Sequence, residues 1–188
     1  MSKVRLYLVR HGKTMFNTIG RAQGWSDTPL TAEGELGIHE LGVGLRESGL
    51  QFDRAYSSDS GRTIQTMGII LEELGLQGKI PYRMDKRIRE WCFGSFDGAY
   101  DGDLFMGLIP RIFNVDHVHQ LSYAELAEGL VEVDTAGWAE GWEKLSGRIK
   151  EGFEAIAKEM EEQGGGNALV VSHGMTIGTI VYLINGMH

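Results

Sequence analysis

The sequence predicts an α/β fold, a three-layer αβα sandwich built around a mostly parallel sheet. Two apolar runs, Leu6–Val9 and Ala168–Val171, are rich in Val and Leu, which is typical of strands buried on both faces of a parallel sheet. Stretches with helical periodicity alternate with shorter strand-like runs between them, as in doubly covered parallel sheets. The length of 188 residues is that of one domain, so we expect residues 1–188 to form a single unit.

The first half of the chain contains five expected elements. In order, they are a strand Val4–Arg10, a helix capped by Thr31 that runs to about Ser48 and ends at Gly49, a strand Phe52–Ser58, a helix capped by Asp59 that stops at Gly75, and a strand Lys79–Met84. The second helix has apolar residues close to the 3.6-residue period, which predicts one buried face.

The second half contains a long helix and a strand. Apolar residues three or four apart predict a helix from about Trp138 to Glu162, with Trp138 and Trp142 in the core. The triple glycine 164–166 predicts a turn into the last strand. Residues 98–136 fit the alternation poorly and show one short helical patch near Tyr123–Val131. We expect this segment to be an insertion that lies over the edge of the sheet where the strands end, and to shape substrate access there.

Composition and charge exclude several classes of protein. The chain carries a formal net charge of −8, and residues 93–188 hold 15 acidic and 5 basic residues, which argues against nucleic acid or an anionic membrane as partner. The N-terminus lacks signal-peptide features, and no apolar run approaches the ~20 residues that span a bilayer. The single cysteine, Cys92, suits a reducing compartment. We therefore predict a cytoplasmic protein.

A pattern of histidine and glycine occurs twice and locates the candidate site. Arg10-His11-Gly12 follows the first strand, and Ser172-His173-Gly174 follows the last. Because ligands bind beyond the carboxyl ends of parallel strands, we expect both histidines at one site. Imidazole is a competent nucleophile at neutral pH, and the guanidinium of Arg10 suits phosphate oxygens. A single such pattern could equally arise by chance, with the histidine merely hydrogen-bonded.

Two further residues are candidates for the chemistry. Arg62 lies in the first turn of a helix, where a cation is unfavourable for the helix itself, and this indicates another role. Glu90 lies between basic and aromatic residues, where a shielded carboxyl group could act as a general acid. The alternative for Arg62 is a solvated surface arginine, and the alternative for Glu90 is an exposed ion-pair partner.

No metal or cofactor is expected. His117 and His119 lack a cysteine or suitably spaced carboxylate to complete a zinc site. The acidic stretch Asp97–Asp103 lacks the spacing of a calcium loop.

Together, these motifs resemble the histidine phosphatase superfamily, which is also called phosphoglycerate mutase-like. The resemblance rests on five blocks in the family's order, which leave residues 98–136 unmatched: Arg10–Asn17, Gln23–Thr31, Ser57–Asp59 with Arg62, Gln65 and Thr66, Arg89-Glu90 with Phe93-Gly94, and Ser172–Gly174.

The resemblance implies a phosphohistidine mechanism without a metal. His11 is then the nucleophile, and Arg10, Arg62 and His173 surround the phosphoryl oxygens. Glu90 protonates the leaving oxygen. Asn17, Gln23 and Gly24 are expected to bind substrate, a small phosphorylated metabolite.

Two departures from the family pattern bear on the substrate and on the length. The mutases carry a basic stretch after the acid, whereas residues 100–116 hold Arg111 as their only basic residue. This favours a phosphomonoester hydrolase, with phosphoglycerate mutase or a non-catalytic phosphate-binding module as alternatives. The family usually continues past the last helix, which leaves open whether the native chain extends beyond His188.

Overall fold

A four-stranded, wholly parallel sheet forms the centre of the fold. The computed structural model describes residues 3–186. The strands are β1 Val4–Arg10, β2 Arg54–Ser57, β3 Tyr82–Met84 and β4 Gly166–Ser172, in the spatial order β1-β4-β2-β3. The first strand has the predicted bounds, and the second and third are shorter than predicted.

Within residues 3–186, seven α-helices accompany the sheet, together with short 3₁₀ and π-helical turns. They are α1 Met15–Thr18, α2 Ala32–Glu47, α3 Gly61–Glu73, α4 Ile109–Phe113, α5 Tyr123–Val133, α6 Trp142–Glu162 and α7 Gly174–Asn185. Thr31 caps α2 as predicted, since its side chain accepts a hydrogen bond from the Gly34 amide.

Two apolar clusters, one on each face of the sheet, confirm the three-layer αβα prediction. Side chains of β4 alternate between them: Leu169 and Val171 pack in the cluster with α2 and α3, while Ala168 and Val170 pack in the cluster with α5 and α6. Each face of β4 is therefore covered by helices, which explains why its sequence is a continuous apolar run.

The start of helix α3 differs from the prediction. Ser60, not Asp59, is the N-cap residue, and its side chain makes no capping hydrogen bond. Asp59 instead accepts two hydrogen bonds from Arg89, at 2.5 and 2.6 Å. The charge-assisted pair with a residue 30 positions away is stronger than a neutral cap, and only the tertiary fold reveals it.

The prediction for Trp138 was wrong. Helix α6 begins at Trp142, and the Trp138 side chain is 69% exposed. The turn before the helix is fixed by Asp134, whose carboxylate accepts hydrogen bonds from the backbone amides of Ala136, Trp138 and Ala139. These bonds hold the residues before Trp142 in a non-helical conformation.

The segment 98–136 contains more helix than its sequence predicts. Besides α5, it forms a π-helical stretch, Gly102–Leu108, that continues into α4. Leu104, Ile109 and Leu130 are fully or almost fully buried in the larger apolar cluster. The segment is therefore part of the core, and not only a cover over the sheet edge.

Candidate active site

The register of the sheet places the two histidines side by side. Strands β1 and β4 pair with Arg10 opposite Ser172, so the residue that follows each strand is a histidine at the same edge. The His11 amide donates to the Ser172 carbonyl at 3.1 Å, and the two imidazole centroids are 5.3 Å apart. The predicted meeting of the two motifs is confirmed by this geometry.

His11 is held with one ring nitrogen available for attack. Its Nδ1 lies 2.8 Å from the Gly12 carbonyl oxygen. A carbonyl only accepts, so Nδ1 carries the proton and Nε2 retains its lone pair. The ring is 8% exposed, and burial, together with the charges of Arg62 and Arg10, lowers the His11 pKa to about 4. The imidazole is thus neutral at neutral pH, as a nucleophile requires.

The Arg62 side chain is fully buried, and most of its N–H groups already donate hydrogen bonds. Its two terminal nitrogens donate to the Ser26 and Gly24 carbonyls, to the Asp27 carboxylate and to a nitrogen of His173, all at 2.8 or 2.9 Å. Burial lowers the pKa of Arg62, and the nearby Asp27 carboxylate opposes that shift. Its Nε has no hydrogen-bond partner within residues 3–186. One buried donor of the guanidinium is therefore unsatisfied.

His173 is fixed through both ring nitrogens. Nδ1 accepts from Arg62 at 2.9 Å, because a guanidinium only donates, so the proton lies on Nε2 and is donated to Ser58 Oγ at 2.7 Å. Burial and the charge of Arg62 hold the pKa of His173 well below its usual value. The sequence did not predict this: in the described geometry, His173 orients Arg62, and it could donate to a phosphoryl oxygen only by giving up Ser58.

Glu90 lies at the N-terminus of helix α7. Its carboxylate accepts hydrogen bonds from the backbone amides of Trp91, Met175 and Thr176 and from the Thr176 hydroxyl, at 3.0 to 3.1 Å. Glu90 is 6% exposed, and burial raises its pKa although these bonds oppose the shift. A carboxyl group with a raised pKa can hold a proton at higher pH than an exposed one, as a general acid must.

A pocket of about 370 Å³ lies at this edge of the sheet. It is lined by Arg10, His11, Lys13, Asn17 and Asp101. The Asn17 amide oxygen accepts from the Thr14 backbone amide at 3.1 Å and so caps helix α1. The structure thus brings Arg10 and Asn17 to the same pocket as His11, as predicted.

Gln23 and Gly24 position other residues of the site in the structure, and their predicted contact with substrate stays a prediction. The Gln23 amide is engaged at both ends, accepting from the Thr14 hydroxyl at 2.6 Å and donating to the Thr28 hydroxyl at 2.9 Å. The Gly24 carbonyl accepts from Arg62. A side chain at Gly24 would place its Cβ 2.3 Å from the Trp91 carbonyl oxygen, which explains the glycine.

Two carboxylates that the sequence did not single out organise the site. Asp97 accepts from the backbone amides of Gly24, Ser26 and Phe93, and so ties the loop that holds Arg62 to the segment after Glu90. Glu140 is buried and binds Arg148 through two short hydrogen bonds, at 2.6 and 2.9 Å.

Arg148 in turn supports the chain segment that contains Glu90. It donates to the backbone carbonyls of Arg87, Arg89 and Glu90. An arginine in an otherwise amphipathic helix gives no sequence signal for this role, because its partners lie about 60 residues away.

Within residues 3–186, no three or more His, Cys, Asp or Glu side chains are grouped so as to hold a metal ion. Over the same range, no helix combines the length and apolar character needed to cross a bilayer.

The site therefore combines a neutral histidine with a buried arginine, a second histidine and a buried carboxyl group, a set suited to phosphoryl transfer. The chain matches the histidine phosphatase superfamily (branch 1) over residues 6–188. It belongs to this superfamily of enzymes, and the resemblance inferred from its motifs is confirmed.

The relatives extend the comparison. The chain is 33% identical over 186 residues to the probable phosphoglycerate mutase GpmB of Salmonella choleraesuis, a match that covers 98% of this chain and 76% of the relative. The crystal structure of phosphoglycerate mutase from Bacillus anthracis superposes with a TM-score of 0.91 at 37% identity, covering 98% of this chain and 82% of that one.

A third relative shows the fold alone. The structure of a putative alpha-ribazole-5'-P phosphatase from Escherichia coli superposes with a TM-score of 0.71 at 24% identity, covering 99% of this chain and 81% of that one. The phosphoglycerate mutase-like fold predicted from the motifs is thereby confirmed.

Proposed function

We propose that the protein is a metal-independent phosphomonoester hydrolase that acts on a small phosphorylated metabolite through a phosphohistidine. The observation that carries the proposal is the state of His11: a buried, neutral imidazole whose Nδ1 proton is fixed by Gly12, leaving the Nε2 lone pair for phosphorus. The composition of the chain, with its single cysteine, supports the cytoplasm as its location.

The reaction proceeds in two balanced steps. Nε2 of His11 bonds to phosphorus as the bond from phosphorus to the leaving oxygen breaks, and protonated Glu90 gives its proton to that oxygen. The oxygen of a water molecule then bonds to phosphorus as the bond from phosphorus to Nε2 of His11 breaks, and Glu90 takes a proton from this water. Inorganic phosphate leaves, and both His11 and protonated Glu90 are regenerated. Arg10 and the free Nε–H of Arg62 stabilise the charge on the phosphoryl oxygens.

His173 and Asn17 complete the proposed pocket. His173 keeps the guanidinium of Arg62 in place at 2.9 Å and becomes a donor to the phosphoryl group when its Nε2–H exchanges Ser58 for a phosphoryl oxygen. Asn17 contributes a hydrogen bond from the pocket wall.

A second candidate function is phosphoglycerate mutase, because the Salmonella relative and the Bacillus anthracis structure carry that name. Hydrolysis is favoured by the scarcity of cations in the segment that follows Glu90. Arg111, the single basic residue of the segment 100–116, is exposed on α4, and Lys13 in the pocket wall is paired with Glu33 at 2.7 Å.

Product analysis separates these candidates. The protein is incubated with 3-phosphoglycerate, with and without 2,3-bisphosphoglycerate, and with p-nitrophenyl phosphate in the presence and absence of EDTA. We expect phosphate release from the aryl phosphate, unchanged by EDTA, and no 2-phosphoglycerate. Bisphosphate-stimulated formation of 2-phosphoglycerate would establish the mutase, and turnover of neither compound would favour a binding module.

A further inference from the structure

Asp101 places a negative charge in the wall of the catalytic pocket. It lies at the start of the π-helical stretch, is exposed, and shares the pocket lining with Arg10, His11, Lys13 and Asn17. The Asp101 amide donates to the Gly20 carbonyl at 3.0 Å, and the ideal position of a Cβ on Gly20 is 3.4 Å from Asp101 Oδ1. The backbone hydrogen bond thus fixes the main chain of Asp101 beside the pocket.

The positive charges around the pocket can bind one phosphoryl group, and few of them remain for a second anionic group. Arg10 and buried Arg62 lie on the side of the nucleophile, and Arg62 is balanced by Asp27 at 2.9 Å. Lys13 forms an ion pair with Glu33 at 2.7 Å. The part of a substrate that extends from the phosphoryl group towards Asp101 therefore meets the Asp101 carboxylate and a lysine that already has an acidic partner.

We propose that Asp101 determines substrate class: it disfavours phosphomonoesters whose leaving group carries a second anion and selects those whose leaving group is neutral or cationic. A carboxylate or second phosphate several ångströms from Asp101 would be repelled, whereas a hydroxyl or amine would be accepted. This inference rests on the proposed function, because it assigns the specificity of the same pocket.

The test compares two substrates of similar size, glycerol 3-phosphate and 3-phosphoglycerate, which differ by a hydroxymethyl group against a carboxylate. The ratio of their kcat/KM values is measured for the unsubstituted protein and for D101N, D101K and D103N. Asp103 is the matched control, because it is an exposed aspartate two residues further on that is absent from the described lining of this pocket.

We expect the unsubstituted protein to prefer glycerol 3-phosphate. One unit charge at a partly exposed site changes an interaction by about tenfold, so D101N should lower the preference by about that factor. D101K should lower it by about a hundredfold, and D103N should leave it unchanged. High salt should weaken the preference of the unsubstituted protein, which a purely steric effect would not do.

An unchanged ratio in both Asp101 variants would overturn the proposal. The dissociation constants of the same two compounds, measured by calorimetry on the H11Q background with and without D101N, separate its failure from that of the proposed function. If the compounds bind but are not turned over, only the proposed hydrolase function is contradicted. The effect of Asp101 on substrate preference is then measured by comparing these dissociation constants with and without D101N. Failure of both compounds to bind would contradict the pocket and with it both proposals.

Discussion

The neutrality of buried His11 predicts a specific dependence of stability on pH. Its pKa is lowered from 6.5 to about 4 in the folded protein. Between these values the unfolded chain binds the proton and the folded protein does not, so the free energy of unfolding falls as the pH falls through this window. Linkage gives a loss of about 2 kcal/mol from this one group at pH 5 relative to neutral pH.

The assay is urea denaturation of the unsubstituted protein and H11Q at pH 7 and pH 5. Other groups also titrate, so the informative quantity is the difference between the two proteins. We expect the unsubstituted protein to lose about 2 kcal/mol more than H11Q. H119Q, which removes an exposed histidine, should behave like the unsubstituted protein. Equal losses in the unsubstituted protein and H11Q would refute the claim that His11 is held neutral by its surroundings.

Three substitutions test residues that hold the active site in place. R148A leaves Glu140 buried without its cation and should cost about 3 kcal/mol of unfolding free energy, measured by urea denaturation. G24A forces a Cβ to within 2.3 Å of the Trp91 carbonyl oxygen, so the loop must move; we expect a loss of stability in the same assay and weaker kcat/KM. R62A removes the buried cation and should lower kcat/KM for an aryl phosphate by about 100- to 1000-fold.

Each of these substitutions has a matched control in the chain. Lys150 is exposed on the same helix as Arg148, and K150A should leave the unfolding free energy nearly unchanged. Gly37 on α2 has open space at its Cβ position, so G37A should be tolerated. R111A, which removes an exposed arginine, should retain activity. A site variant that behaves like its control would contradict the role assigned to that residue.

The sequence predicted correctly those features of secondary structure that depend on neighbouring residues in the chain. The bounds of β1 and the cap of α2 follow from an apolar run and from Thr31, and both are confirmed. The meeting of His11 and His173 was predictable because parallel strands end at a common edge. The helices within residues 102–113 were missed because Gly102, Gly107 and Pro110 weaken the local helical signal.

The sequence was least informative where a residue's role depends on distant partners. Asp59 pairs with Arg89, and Gly24 accepts a hydrogen bond from Arg62 38 residues further along the chain. The engagement of His173 with Ser58 joins positions 115 residues apart. No local pattern specifies such contacts, since they arise only when the strands align.

In the proposed mechanism, His11 carries the phosphoryl group during turnover. The most direct measurement is rapid quenching with a labelled phosphomonoester, followed by mass spectrometry to locate the modified residue. We predict an acid-labile, base-stable phosphoryl group on His11 that is absent from H11A. A label that persists in H11A, or one found on His173 instead, would contradict the account.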